Sequence, residues 1–157
     1  MNIRKELSGV RILVDADACP VKEIIVSIAK RRGLPVVMIM DTSHELDDGY
    51  STTITVDKAR DSADIVLINM VCSQDIVVTQ DYGLAALALS KSAKVLNQNG
   101  LVYTNENIDQ LLMDRYLGQK VRRGGGRSRG PRKRTRDDDA RFIRSFEGII
   151  EKNTDEA

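Results

Sequence analysis

The 157-residue sequence has no tryptophan, one histidine (His44) and two cysteines, Cys19 and Cys72. One histidine and two separated cysteines do not make a zinc site of the usual His/Cys kind. Two cysteines are also too few for a disulfide framework. Aromatic residues reach only 4%, so the core is expected to be aliphatic. No apolar run approaches the ~18–20 residues that span a bilayer. The opening MNIRKELSGVRILV has neither the long apolar centre nor the small-residue cleavage site of a secretory signal. A cytoplasmic, soluble chain without a membrane partner is the expectation.

Net charge is also scarce, at +1, but its distribution is uneven. Residues 1–119 carry 12 Lys/Arg against 16 Asp/Glu, a balance of −4, and residues 120–157 carry 12 against 7, a balance of +5. Within the second part, residues 120–136 (KVRRGGGRSRGPRKRTR) hold nine Lys/Arg, five Gly or Pro and no acid. That stretch has no apolar face to offset the entropy of ordering, which predicts a flexible basic loop. Three parts follow: an α/β body over 1–119, the loop over 120–136, and a last helix over 137–157. Asp137, Asp138 and Asp139 suit that helix's N-terminal partial charge. Phe142, Ile143, Phe146, Ile149 and Ile150 give it an apolar face for the body or a second subunit.

Within the body, Arg11–Asp15 and Val36–Met40 are continuous apolar runs of the kind buried on both faces of a parallel sheet. Thr52–Val56, Asp75–Thr79 and Lys94–Leu96 read as further strands. Between them, Val21, Ile24, Ile25 and Ile28 form a helical stripe after Pro20 and before Gly33, and Asp41–Ser51 is a polar loop. Ala59, Ala63, Val66, Leu67 and Met70 predict a helix from Asp57, and small residues predict another over about Tyr82–Lys91. Ile108, Leu111 and Leu112 begin the inner stripe of one more. Strands alternating with helices predict a three-layer α/β/α sandwich with a mainly parallel sheet.

The aspartates carry the chemistry. Asp15 and Asp17 close the first strand, and Asp81 follows the strand ending at Thr79. Sites in open parallel sheets collect at the carboxyl ends of strands. Asp57, Asp61 and Asp64 are spaced to share one stripe of the intervening helix. Taken singly, such residues are commonly turn formers or helix caps, Asp57 as a cap and Asp75 as a turn residue before its strand. Together they make an oxygen-ligand set suited to Mg²⁺ or Mn²⁺. Such an ion polarises a phosphoryl oxygen and lowers the pKa of a bound water, which is phosphodiester hydrolysis without histidine. The candidate metal ligands are Asp15, Asp17, Asp61, Asp64 and Asp81. The helix-borne ligand is left open between Asp61 and Asp64.

The basic segment complements them. Arg122, Arg123, Arg127, Arg129, Arg132, Lys133, Arg134 and Arg136 can neutralise backbone phosphates of RNA or another single strand, with weak sequence preference. A solvated linker is the alternative. Cys19, at a helix start, lacks a nearby histidine to activate it, which favours a structural or site-supporting role. Cys72 reads as core and His44 as an exposed loop residue. Lys22 is either a phosphate contact or a surface lysine. Gly124–Gly126 lacks the strand-to-helix setting of a phosphate loop. A non-catalytic nucleic-acid-binding module with a vestigial acidic site would fit the same residues. A phosphatase built on Asp15-x-Asp17 fits less well, because Cys19 stands where such enzymes carry Thr or Val.

Val14-Asp-Ala-Asp-Ala-Cys-Pro20, Asp61-Ser-Ala-Asp64 and Asp75-Ile-Val-Val-Thr-Gln-Asp81 followed by Gly83-Leu-Ala85 resemble the bacterial YaiI/YqxD family, whose domain is PIN-like. Tyr103–Ile108, Arg115 and Gly130-Pro131 extend the resemblance over roughly residues 10 to 150. It implies a PIN-like fold and metal-dependent cleavage of RNA, the latter inherited from the broader superfamily. In those terms Asp15, Asp61 or Asp64, and Asp81 are the catalytic acids, and Thr79 is the hydroxyl residue that precedes the last of them. The middle acid is often Glu in PIN domains and is Asp here, while Asp17 belongs to this family's own motif. PIN domains also dimerise, so the resemblance implies a homodimer as one arrangement.

Overall fold

The computed structural model describes residues 9–41, 48–57, 62–125 and 132–156. Five parallel strands come from the short β-branched and aliphatic runs: β1 (Ile12–Asp15), β2 (Val36–Met40), β3 (Thr52–Thr55), β4 (Ile76–Val78) and β5 (Lys94–Leu96). A sixth, β6 (Val102–Tyr103), pairs antiparallel with β5 and is absent from the strands that the sequence pattern predicts. The helices are α1 (Lys22–Arg32), α2 (Ala63–Met70), α3 (Tyr82–Ser90), α4 (Asn105–Arg123) and α5 (Arg136–Glu156).

The sheet order is β3-β2-β1-β4-β5-β6. The chain builds outward from β1 through β2 to β3, then crosses back to lay β4 on the other flank of β1. The order therefore reverses between β1 and β4, and their carboxyl ends bound the crevice where an open α/β sheet takes ligands.

Strand alternation sorts the core into two layers. Ile12 and Val14 face α1 and α5, where they join Ile25, Ile28, Phe142, Phe146 and Ile150. Leu13 faces the opposite side, with Leu67 of α2, Leu84 and Ala88 of α3, and Ile108 of α4. The result is the expected α/β/α sandwich. Asp15 has the parity of Leu13, which directs it to the side of α2 and α3. The terminal helix docks on the body of its own chain: Phe142 and Phe146 are fully buried and stacked, with ring centroids 5.2 Å apart. Burying each phenyl ring contributes about 1.5–3 kcal/mol.

Three boundaries differ from the sequence reading for local reasons. Ser62, in an extended conformation, caps α2 by accepting the Ile65 N–H at 3.2 Å, so that helix starts at Ala63 and not at Asp57. Its cap is Ser62, not Asp57, and Asp57 lies outside the helix that carries Asp64. Ala59 and Asp61 lie outside the described residues. Helix α4 begins at Asn105, because Thr104 and Asn107 cap each other: Asn107 Oδ1 accepts the Thr104 N–H at 2.9 Å and Thr104 Oγ1 accepts the Asn107 N–H at 3.0 Å. It then runs on to Arg123, so residues 120–123 belong to a helix and not to the basic loop. Pro20 stands just before α1 in a turn, with Val21 as N-cap.

Asp75 is a structural acid, 1% exposed at the amino end of β4. Arg11 donates to both its oxygens, at 3.2 and 2.8 Å, and Cys72 N–H donates at 2.9 Å. A buried carboxylate held this way is satisfied, and its role is to join the strand entrances.

An acidic cleft at the carboxyl edge of the sheet

The end of β1 carries Asp15 to the crevice beside β4. Thr79, the residue after β4 and 2% exposed, donates its hydroxyl to Asp15 Oδ2 at 2.8 Å and accepts the Asp81 N–H at 3.0 Å. One hydroxyl thus ties the two acids together. Asp81 Oδ1 caps α3 through the Leu84 N–H at 3.0 Å. A Cβ at Gly83 would stand 3.2 Å from that oxygen, so glycine leaves the carboxylate room. Asp17 Oδ2 accepts the Asp41 N–H at 2.8 Å, which ties the turn after β1 to the end of β2. Ala18 in that turn has a left-handed φ of 59° and is held by Gln80 Nε2, which donates to its carbonyl at 2.9 Å. Such a conformation costs a non-glycine residue about 1–2 kcal/mol, and it lies at the cleft.

The acids feel one another. Burial pushes the Asp15 carboxyl up to about 6; the Thr79 bond opposes this, and the charges of Asp64, Asp81 and Asp17 add to it. Asp64, in the first turn of α2, is raised by burial and then by Asp81 and Asp41. Four of the five predicted ligands, Asp15, Asp17, Asp64 and Asp81, therefore gather at one edge, from three separate segments. Asp61 lies outside the described residues. Asp41, which the sequence pattern places at the start of a loop, is a fifth acid there. Its signal was the one used for Asp15, since it directly follows a strand.

A cleft of about 450 Å³ opens at this edge, lined by Asp15, Asp17, Ala18, Gln80, Asp81, Tyr82 and Arg115. Asp64 is not part of that lining. Among the described residues, no three His, Cys, Asp or Glu side chains are close enough together to enclose a metal ion. The donor chemistry nevertheless suits Mg²⁺, which commonly takes one or two carboxylates and completes its shell with water and substrate phosphate.

Cys19 is 7% exposed, and burial pushes its thiol up, as for a packed side chain and not a nucleophile. Of the expected phosphate contacts, Arg134 is engaged inside the protein. Its Nε donates to Asp139 Oδ1 at 2.7 Å, Nη1 to Asn99 Oδ1 at 2.7 Å, and Nη2 to the Gln98 carbonyl at 2.8 Å. Arg132 pairs with Asp138 at 2.7 Å, and Arg141 bonds the same acid. The Thr135 backbone N–H and Arg132 hold the Asp138 carboxyl well below the usual range. These contacts fix the start of α5 to the β5–β6 turn. Lys133 and Arg136 are exposed. Arg122 and Arg123 fall in the last turn of α4, and Arg127, Arg129 and His44 lie outside the described residues.

A family model described as "Uncharacterized BCR, YaiI/YqxD family" matches residues 13–152. The chain belongs to this family. A UPF0178 protein of Ruminiclostridium cellulolyticum is 68% identical over 136 residues, covering 87% of this chain and 89% of the relative. One from Exiguobacterium sibiricum is 47% identical, covering 92% and 99%. One from Alkaliphilus oremlandii is 52% identical, covering 91% and 92%. No solved structure matches the chain. The YaiI/YqxD match runs from β1 into α5, so the edge acids and the helix that seals the opposite core belong to one family unit. Among the described residues no helix is long and apolar enough to cross a membrane.

Proposed function

We propose that this YaiI/YqxD protein is a Mg²⁺- or Mn²⁺-dependent nuclease that hydrolyses RNA phosphodiester bonds at the acidic edge. The observation that carries this reading is the gathering of Asp15, Asp64 and Asp81, with Asp17 and Asp41, at the reversal point of the sheet. Burial raises the Asp15 carboxyl to about 6, and the charges of Asp64, Asp81 and Asp17 add to the rise. A cluster of acids that repel one another in a partly buried crevice is costly as it stands, and a bound cation relieves the cost. Asp15 and Asp81, joined through Thr79, would hold the ion, with Asp64 or Asp61 completing the set. A divalent ion there would polarise a phosphoryl oxygen and supply a low-pKa water as nucleophile. Thr79 keeps Asp15 and Asp81 in fixed relation, and the Gln80 bond to Ala18 holds the wall of the cleft. Lys133 and Arg136, with the Arg/Gly-rich segment before them, supply phosphate neutralisation.

Incubating the protein with labelled single-stranded RNA and Mn²⁺ tests this, with EDTA and Asp15→Asn as controls. Cleavage abolished by both is expected. Cleavage that survives both would come from a contaminant and would remove the proposal.

A second reading, a nucleic-acid-binding module with a vestigial acidic site, is favoured by one observation: no three described ligand side chains enclose an ion. It expects salt-sensitive RNA binding, carried by the basic segment, without metal affinity at the acids.

A further inference from the structure

Arg115 stands out against the charge of the cleft. It projects from α4, far in sequence from the acids, and lines the same cavity as Asp15, Asp17 and Asp81. Among the described residues it makes no ion pair or hydrogen bond with them, although it shares the cleft wall with three carboxylates. Its planar fork of N–H donors is thus open to an incoming anion. Carboxylates alone repel a phosphodiester, and one unpaired guanidinium gives the cleft an anion handle beside them. Opposite in chemistry, Tyr82 forms another part of the wall. It is the first residue of α3, half-buried, and held edge-to-face by Tyr103 at a centroid distance of 5.9 Å and 71°. That contact fixes the aromatic ring without enclosing it.

We infer that Arg115 and Tyr82 form a subsite for one unpaired nucleotide, Arg115 holding its phosphate and Tyr82 stacking on its base. The inference rests on the nuclease reading for the identity of the polymer and adds the two residues that hold one of its nucleotides. A stacking wall selects single strands, because the base faces of a duplex are already covered by their neighbours. A volume of about 450 Å³ takes a nucleotide but not the width of a duplex.

The test is fluorescence anisotropy with a labelled oligouridylate of about ten nucleotides and a duplex RNA of the same length, Ca²⁺ replacing Mg²⁺. Arg115→Ala should weaken single-strand binding about tenfold, and Arg115→Lys less, because lysine keeps the charge and loses the fork. Tyr82→Leu, which keeps packing against Tyr103, should weaken it by about fivefold or more, whereas Tyr82→Phe should bind as the wild type does. Duplex affinity should be unchanged in all four. Wild-type binding by Arg115→Ala and Tyr82→Leu would overturn the inference, as would equal losses for single strand and duplex. If these differences are seen while the wild type cleaves nothing, the subsite stands and the nuclease reading falls. If metal-dependent cleavage occurs with binding unmoved, the reverse holds.

Discussion

Asp15→Asn should make the protein more stable at neutral pH while removing the proposed cleavage activity. The carboxyl of Asp15 moves from 3.8 in the unfolded chain to about 6 in the fold. The folded state therefore holds the proton more tightly, and stability falls as pH rises from about 4 to 6 and the buried group is forced to ionise. A shift of about two units corresponds to about 3 kcal/mol at full burial. Asp15 is only half-buried, so screening by water brings the expected gain for the asparagine variant to about 1–2 kcal/mol. Asparagine keeps an oxygen to accept the Thr79 hydroxyl. Its neutral amide also relieves Asp64, Asp81 and Asp17 of one repulsive neighbour. Urea unfolding at low salt and several pH values measures this. The midpoints of wild type and variant should coincide near pH 4, diverge through pH 5 and 6, and stay apart at pH 7.5. A variant equal to or less stable than wild type at pH 7.5 would refute the claim that the fold ionises Asp15 at a cost. Mg²⁺ should close the gap by stabilising the wild type alone.

Thr79→Val removes the hydroxyl that holds Asp15 down, so carbonyl NMR titration should show the Asp15 carboxyl moving above about 6. Stability at pH 7 should fall by about 1.5–3 kcal/mol, as for a lost hydrogen bond to a charge. Gly100 has a φ of +85°, and a Cβ there would stand 2.5 Å from the Arg141 carbonyl oxygen. Gly100→Ala should therefore cost at least ~2 kcal/mol, read as a lower thermal midpoint, by forcing the β5–β6 turn off α5.

The parts of this fold that could be read from the chain are those whose signal is local. β1 and β2 were legible because a strand buried on both faces is a continuous apolar run, and α5 because Phe142, Phe146 and Ile150 recur at helical spacing. β6 has only two residues, and its place is set by pairing with β5 and by the Tyr103 hydroxyl, which donates to the Thr79 carbonyl at 3.3 Å. Nothing in Val102-Tyr103 itself announces that. The end of α4 was misplaced because the composition turns basic at Lys120, yet Lys and Arg are good helix formers and carry the helix on to Arg123. At the edge, Asp15 was legible as the last residue of an apolar strand and Asp81 from its position after one. Arg115 was not legible as a cleft residue, because only the packing of α4 brings it to the acids. Arg134 looked like a phosphate contact by composition, and its donors are committed to Asp139, Asn99 and Gln98.

Calorimetric titration of the protein with Mn²⁺ tests the central claim most directly. Saturable binding that disappears in both Asp15→Asn and Asp81→Asn is the expected result. Failure of the wild type to bind, or binding that both variants retain, would contradict the assignment of the acidic edge as a metal-dependent catalytic site.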